Sequence, residues 1–194
     1  MLNTLVIALR VTLFTVLLTG LAYPLLVTGL AQALFPRHAN GSLVRDDQGR
    51  IVGSELISQR FSRPAYFQPR PSAAGELGYD PSASGGSNYG PTSQKLRDRA
   101  ISDLGRLKKE NPEAASPVPA ELLTASASGL DPHLSLAGAL WQAPGVAKAR
   151  GVTPERIEAV VRAHVGGRDL GFLGEPRVNV LLVNLALDRQ FGRP

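Results

Sequence analysis

The sequence predicts an α+β protein: a single transmembrane helix followed by one compact, mainly helical domain with a small β-sheet. Three observations support this fold class. The 26 residues between Arg10 and Arg37 include no Asp, Glu, Lys, Arg or His. Short extended runs separated by Gly, Pro and Ser fill residues 37–91, which favours strands and loops. Apolar residues recur at helical spacing in residues 92–194, which indicates packed helices.

The apolar stretch Val11–Pro36 is long enough to cross a bilayer. An α-helix of this length covers about 39 Å, against a hydrocarbon core of about 30 Å. The Ala31–Ala33 segment has the small-x-small form of a signal-peptidase site. However, the apolar run exceeds the roughly 7–15 residues of a signal peptide, and its length also disfavours a buried core helix. We therefore assign residues 1–36 to a transmembrane anchor and 37–194 to a soluble α+β domain.

Two features of the anchor bear on packing. Pro24 lies mid-span and is expected to interrupt helical hydrogen bonding and to kink the helix. Thr12, Thr15 and Thr19 lie on one helical face, and small residues there allow a second helix to approach closely. We predict that this face contacts a partner and that the lipid bilayer surrounds the rest. A short N-terminus before a long apolar span is typical of an uncleaved signal anchor, with a cytoplasmic N-terminus and an extracytoplasmic domain.

Composition excludes several function classes. The net charge is +5 and the pI is near 10, but the basic residues are scattered and lack interleaved aromatics, which argues against a nucleic-acid partner. The chain has no cysteine, which excludes disulfides, thiolate nucleophiles and cysteine metal sites. The three histidines lack the spacing of a metal site. We expect no metal and no catalytic residue in this chain.

Residues 37–91 predict short strands and one long loop. Asp47–Gly49 is expected to form a turn between strands at 42–45 and 50–53. The segment Ala65–Arg70 has β character, limited by proline to a sheet edge, so the small sheet is expected within residues 42–70. The glycine-rich stretch Ser82–Ser93 lacks the Gly-Lys-Ser/Thr ending of a phosphate-binding loop. It is expected to be a surface loop that leads into a helix.

Four helices are predicted in residues 92–194, each from a capping residue, an apolar stripe and a breaker. Their limits are Thr92 to Asn111-Pro112, Ser135 to Gly151, Thr153 to Gly166-Gly167, and Pro176 to Phe191. A Pro/Ala linker (Glu113–Pro119) and a short helical turn (Ala120–Thr124) separate the first two. Pro144 either bends the second helix or begins a new one at Gly145. The last helix is apolar almost all round, which favours a central position or half of an interface. We find no internal repeat.

The exposed Gly/Pro loops Ser84–Thr92 and Ser126–His133 are the predicted contact surfaces of the domain, because loops carry function more often than cores do. The loop residues predicted to contact a partner are Ser84, Gly85, Gly86, Asn88, Ser128, Asp131 and His133. Taken together, these residue patterns predict a membrane-anchored accessory protein rather than an enzyme.

Four stretches, together with the N-terminal span, resemble the KdpC family. These stretches are YFQPRPSA (Tyr66–Ala73), SGGSNYGPTS (Ser84–Ser93), LLTASASGLDPHLS (Leu122–Ser135) and LGFLGEPRVNVLLVNLALD (Leu170–Asp188). KdpC is the small accessory subunit of the bacterial high-affinity potassium-transporting P-type ATPase. The resemblance covers nearly the whole chain in the same order, with small departures at Tyr89, Ser93 and Pro144.

The resemblance implies a non-catalytic, single-span subunit of the cell inner membrane. It implies a complex with a channel-like potassium-conducting subunit, a P-type ATPase subunit and a small single-span subunit. ATP hydrolysis would belong to the ATPase subunit, and this chain lacks the Asp-Lys-Thr-Gly motif of that class. No cofactor is expected to be held firmly by this chain, and ATP only through the complex.

The resemblance leaves two molecular roles open. In one, the subunit acts as a catalytic chaperone that raises the ATP affinity of the ATPase subunit, and Gln142 occupies the family's glutamine position linked to nucleotide contact. In the alternative, the domain is an extracytoplasmic cap that tunes potassium entry without touching nucleotide. The side of the membrane discriminates between them, because ATP is cytoplasmic. A third hypothesis is an unrelated signal-anchored binding module.

Overall fold

The computed structural model describes residues 1–114 and 117–194. The chain divides into two compact units, Met1–Leu43 and Val44–Pro194. Residues 115 and 116, inside the predicted linker Glu113–Pro119, lie outside the described residues. The α+β class with one N-terminal apolar helix is confirmed.

The first unit is dominated by one helical rod, Leu2–Leu34, which has 33 residues and is long and apolar enough to cross a membrane. It consists of α1 (Leu2–Leu17), a π-helical turn (Leu18–Ala22) and α2 (Tyr23–Leu34). A short helix, α3 (Pro36–Ala39), follows. The helix begins well before the predicted apolar stretch, because six of residues 2–9 are also apolar.

The predicted interruption at Pro24 takes the form of the π-helical turn. A proline has no N–H and its ring collides with the carbonyl four residues earlier, here that of Gly20. Gly20 lies within the wider π turn Leu18–Ala22, where the hydrogen bonds no longer follow the regular α-helical pattern. Thr19 also donates from Oγ1 to the Thr15 carbonyl at 2.8 Å. The Thr19 hydroxyl is therefore satisfied within the helix, and both threonines present small, exposed side chains.

The second unit opens with a hairpin, β1 (Leu43–Arg45) and β2 (Ile51–Ser54). The Asp46 carboxylate accepts the backbone N–H groups of Gln48 and Arg50 at 3.0 and 2.9 Å and so ties the turn. Gly49 has φ +78°, a left-handed conformation that glycine adopts without steric cost. The predicted turn and its two strands are thus confirmed to within one residue.

A separate three-stranded antiparallel sheet lies later in the chain. Its strands are β3 (His133–Ser135), β4 (Val165–Gly166) and β5 (Arg177–Asn179), in the order β3-β5-β4. Val178 of the central strand is fully buried and pairs with Leu134 on one side and Val165 on the other. The expectation that the sheet comes only from residues 42–70 is therefore wrong, and Ala65–Arg70 is not a strand.

Four α-helices and one short 3₁₀ turn complete the second unit. They are α4 (Gln94–Glu110), the 3₁₀ turn (Ala120–Leu122), α5 (Leu136–Arg150), α6 (Pro154–Ala163) and α7 (Val180–Phe191). α5 runs through Pro144 without a break. The caps of α5 at Ser135 and Gly151 and the start of α6 at Thr153-Pro154 are confirmed.

Three predicted helix limits are wrong. Ser93, not Thr92, caps α4, and its Oγ accepts the Leu96 N–H. α6 ends at Ala163, because Val165 and Gly166 pair with β5 instead of continuing the apolar stripe. α7 begins at Val180 rather than Pro176, since Arg177–Asn179 forms a strand that pairs on both edges. In each case a tertiary pairing or a neighbouring cap overrides local helix signals.

The core lies where α5, α6 and α7 pack over the three-stranded sheet. Its fully buried side chains include Phe67, Leu134, Ile157, Val161 and Leu187. By contrast, no residue of α4 is buried, and only Leu107 of this helix packs against the core. The core therefore consists mainly of side chains from Leu134 to Leu187, and Phe67 and Leu122 join it from earlier in the chain.

Two short strand–helix units repeat in the core, although the sequence analysis finds no repeat. β3 and α5 follow Pro132, and β5 and α7 follow Pro176. In both units the last strand residue caps the helix. Ser135 Oγ accepts the Gly138 N–H at 3.0 Å, and Asn179 Oδ1 accepts the Leu182 N–H at 3.2 Å. Three residues per strand are too few for periodicity to reveal the repeat.

Candidate functional site

One irregular segment, Phe67–Gln68, is held inside the domain by side-chain amides. Asn184, on α7, accepts the Phe67 N–H through Oδ1 at 2.9 Å and donates Nδ2 to the Phe67 carbonyl at 3.0 Å. Asn184 and Phe67 are both buried. A buried backbone without such partners would lose free energy comparable to a hydrogen bond for each group. We call Phe67–Gln68 the clamped segment.

Gln142 makes the matching pair one residue further along. Its Oε1 accepts the Gln68 N–H at 2.9 Å, and its Nε2 donates to the Gln68 carbonyl at 2.9 Å. Gln142 comes from α5 and is buried. The two amides together replace the partner strand that Ala65–Arg70 lacks. The residue linked by resemblance to nucleotide contact therefore has both its amide oxygen and its amide nitrogen engaged by backbone.

A cavity of about 400 Å³ adjoins Gln142. Its wall includes Trp141 and Asn111, and the Trp141 Nε1 and Asn111 Oδ1 atoms are buried without a hydrogen-bond partner among the described residues. Arg60, Arg63 and Arg106 also line it. Arg106 is paired with Asp103 and Glu110, each at 3.0 Å, and Arg63 donates to the Pro194 oxygen. For Arg60, no ion pair is found among residues 1–114 and 117–194.

In a second irregular region, the two predicted contact loops, Ser84–Thr92 and Ser126–His133, contact each other. The Gly85 N–H donates to the Ser128 carbonyl at 2.8 Å, and Ser84 Oγ donates to the same carbonyl at 3.0 Å. A Cβ on Gly86 would lie 2.8 Å from the Ala127 carbonyl oxygen, so only glycine allows this approach. We call residues 84–88 and 126–133 together the two-loop surface.

A third segment, residues 71–79, makes hydrogen bonds that hold the two-loop surface in place. Ser72 Oγ donates to the Gly129 carbonyl at 2.6 Å and accepts the Tyr79 N–H at 2.7 Å. The Ser126 N–H donates to the Pro71 carbonyl at 3.2 Å. Gly129 has φ +68°, and a Cβ there would meet the Gly85 carbonyl oxygen at 2.7 Å. Close backbone packing, rather than an apolar core, therefore sets the shape of this surface.

Charged groups lie at one end of the two-loop surface. Asp131 accepts the His133 N–H at 3.0 Å and pairs with Arg70 at 3.2 Å. The His133 ring lies 3.7 Å from Asp131. Burial lowers the pKa of His133, the Asp131 charge opposes this, and Arg177 adds to it. The imidazole is therefore mostly neutral at pH 7, and no nucleophile lies beside it in the described contacts.

The structure brings most of the predicted loop residues together. The members of the two-loop surface include Ser84, Gly85, Gly86, Asn88, Ser128, Asp131 and His133, and Asn88 is exposed with φ +51°. Thr12, Thr15 and Thr19 lie in the first unit, and Gln142 lies at the clamped segment.

Sequence reasoning missed Gln68 and the role of Asn184. The signal for Asn184 was present, because it is a polar residue on an otherwise apolar helix. Its partner was not visible, because that partner is backbone more than a hundred positions away in the sequence.

The chain thus combines one helix long and apolar enough to cross a membrane with an α+β unit whose exposed loops are held by backbone contacts. A protein-family model described as "KdpC: K+-transporting ATPase, c chain" matches residues 5–189. The chain belongs to the KdpC family.

Individual relatives agree over almost the full length. The "Potassium-transporting ATPase KdpC subunit" of Myxococcus xanthus is 65% identical over 192 residues, covering 99% of this chain and 90% of the relative. The protein of the same name from Rhodospirillum rubrum is 55% identical over 191 residues, covering 98% of each chain. That of Nitratidesulfovibrio vulgaris is 54% identical, covering 95% of this chain and 93% of the relative.

Proposed function

We propose that this accessory subunit of the K+-transporting ATPase assembles and stabilises an ATP-driven potassium-uptake complex of the inner membrane. The two-loop surface is the contact made by its domain, and the threonine face of α1 and the π turn is the contact made by its helix. The N-terminus is cytoplasmic and the domain is extracytoplasmic, where it caps potassium entry. ATP hydrolysis belongs to another subunit.

The observation that carries the proposal is the construction of the two-loop surface. Exposed Ser84, Asn88 and Ser128 stand on loops whose backbones are pinned by short hydrogen bonds and by glycines that tolerate no side chain. Such loops are ordered before binding, so little conformational entropy is lost when a partner is engaged. Fixed, exposed polar loops fit a protein partner better than a small ligand, which prefers an enclosed pocket.

The helix supplies the second contact. Thr15 and Thr19 form an internal hydrogen bond and present small side chains, which lets a helix of the potassium-conducting or ATPase subunit pack closely. The small single-span subunit is a further candidate for this face. Replacing Thr15 with Trp is expected to reduce recovery of the complex, whereas Leu17→Trp, on the opposite side of α1 from the threonine face, serves as the matched control.

A chaperone role through nucleotide is the second candidate function. The cavity beside Gln142 favours it, because Arg60 and the Trp141 N–H are groups that anionic and heterocyclic ligands can engage. Against it, the Gln142 amide is already paired with Gln68. A nucleotide would have to displace two partly buried hydrogen bonds, each worth about 1 kcal/mol net. We therefore favour the assembly role.

The side of the membrane tests the proposal. In this cysteine-free chain, Ser87→Cys and Ser128→Cys would be treated in intact cells with a membrane-impermeant thiol reagent, with lysed cells as the control. Labelling in intact cells is expected. Labelling only after lysis would place the domain in the cytoplasm, contradict the cap, and make nucleotide contact through the Gln142 cavity the leading hypothesis.

A further inference from the structure

The loop between β4 and β5 ends in a cluster of exposed apolar side chains. Leu170, Phe172 and Leu173 are 83%, 68% and 48% exposed. Single exposed leucines are ordinary on protein surfaces, but here three large apolar side chains are exposed within four consecutive residues, and exposed apolar patches mark interaction sites. We call these three residues the apolar tip. It is separate in sequence from the two-loop surface.

The apolar tip is held in one conformation by its backbone. The Asp169 N–H donates to the Leu173 carbonyl and the Leu173 N–H donates to the Asp169 carbonyl, each at 2.9 Å. Leu170 has φ +53°, a left-handed conformation that leucine rarely adopts. Strain of this kind persists where surrounding structure imposes it, and it concentrates at functional sites. The tip is therefore shaped before any partner arrives.

The charged residues that flank the apolar tip, which we call its collar, are Arg168, Asp169, Glu175 and Arg177, and together they carry no net charge. Arg177 pairs with Asp169 at 3.1 Å, and Arg168 pairs with Glu175 at 2.9 Å. Residues 165–179 contain no Lys, Trp or Tyr. Segments that bind the surface of a bilayer usually carry unpaired basic residues or interfacial Trp and Tyr. A neutral, pre-shaped apolar knob complements an uncharged apolar pocket in a protein better than it complements a lipid surface.

The size of the tip also limits its occupant. Three such side chains present on the order of 400 Å², whereas a stable interface buries about 800 Å² on each partner. Two copies of this chain meeting through their tips would therefore not hold together. A small apolar anchor is effective when the surrounding contact is supplied elsewhere in the same complex.

We propose that the apolar tip inserts into an uncharged apolar pocket on another subunit of the K+-transporting ATPase complex. The proposal rests on family membership and not on the two-loop surface, so either contact can fail without the other. The tip anchors the domain, and the paired collar forms the polar rim of the contact.

Leu170→Asn separates docking from folding. Asparagine tolerates the left-handed conformation better than leucine, so thermal stability of the purified chain should stay equal or rise by about 2–4 °C. Association with the remaining subunits should weaken by about tenfold or more. Phe172→Ser should act in the same direction. Ile101→Gln, which removes another exposed apolar side chain on α4, is the matched control and should change neither quantity.

Unchanged association of both tip variants would overturn the proposal. A photo-crosslinking amino acid at position 172, in the assembled complex in its native membrane, identifies the occupant. A crosslink to a peptide of another subunit supports the proposal. Adducts with lipid, or a dimer of this chain, would overturn it in favour of a membrane contact or self-association.

Discussion

The clamped segment and the two-loop surface are both irregular, yet they are stabilised in opposite ways. At the clamped segment, buried amides of Asn184 and Gln142 satisfy the backbone of Phe67 and Gln68. At the two-loop surface, backbone meets backbone through Gly85 and neighbouring glycines, and the side chains of Ser84, Asn88 and Ser128 remain exposed.

The difference indicates which polar residues are available for function. An amide that replaces a missing strand partner is committed to folding, since releasing it leaves buried backbone groups unpaired. By this criterion Gln142 belongs to the fold, and exposed Asn88 belongs to the proposed interface. Ser84 and Ser128 are also exposed, but their hydroxyl groups each hold one backbone group of the loops, so they contribute to the interface with their remaining hydrogen-bonding capacity.

The largest expected effect is that of Asn184→Ala. The substitution leaves the buried N–H and carbonyl of Phe67 without partners, and each costs about 1–3 kcal/mol. We expect the free energy of unfolding to fall by about 3 kcal/mol, measured by denaturant unfolding of the detergent-solubilised chain. Gln94→Ala, at an exposed amide on α4, is the control and should stay within about 0.5 kcal/mol. Equal losses of unfolding free energy in the two variants would show that Asn184 does not stabilise the clamped segment.

Gly129→Ala should have the next largest effect. The new Cβ would meet the Gly85 carbonyl oxygen at 2.7 Å and the Ala74 nitrogen at 2.8 Å, at φ +68°. Backbone strain of this kind costs about 1–3 kcal/mol, and we expect a loss near 2 kcal/mol with faster amide exchange at Gly85. Gly167→Ala, where a Cβ meets nothing within 4 Å, should be neutral. Loops that stay protected in Gly129→Ala would show that close packing does not hold this surface.

Gln142→Ala distinguishes a structural role from nucleotide contact. We expect the chain to lose about 1–2 kcal/mol of stability, because the backbone groups of Gln68 lose their partners while remaining partly accessible to water. In the assembled complex, the KM for ATP should be unchanged at a temperature where the variant is folded. A selective rise in KM for ATP, with complex yield maintained, would support the chaperone role.

The smallest effect is the pH dependence at His133. Burial lowers its pKa in the folded chain, so the unfolded chain binds a proton first as the pH falls. Stability is then fully present above about pH 6.5 and declines below it, by less than about 1 kcal/mol. The difference in unfolding free energy between wild type and His133→Gln should shrink as pH falls from 7 to 5. A difference that grows over this range would show that folding raises the pKa of His133 instead of lowering it.

Local signals predicted a good part of this fold. The Asp47–Gly49 turn, the Ser135 cap and the Thr153-Pro154 helix start depend on neighbours in sequence, and all three are confirmed. The strand at Arg177–Asn179 was missed because β3 and β4, distant in sequence, supply its pairing. The site divides in the same way. Exposed glycine-rich loops could be predicted as contacts, whereas the side-chain clamp on Phe67 could not, because nothing local marks where a distant amide will bond.

We propose above all that a protein partner covers the two-loop surface in the assembled complex. The most direct measurement is the rate at which a thiol reagent labels Ser128→Cys in the isolated chain and in the assembled complex, with exposed Ser102→Cys on α4 as the control. We expect labelling of Ser128→Cys to slow by about tenfold or more on assembly while that of Ser102→Cys stays constant. Equal labelling of Ser128→Cys in both states would show that the surface remains open to solvent and would contradict the account.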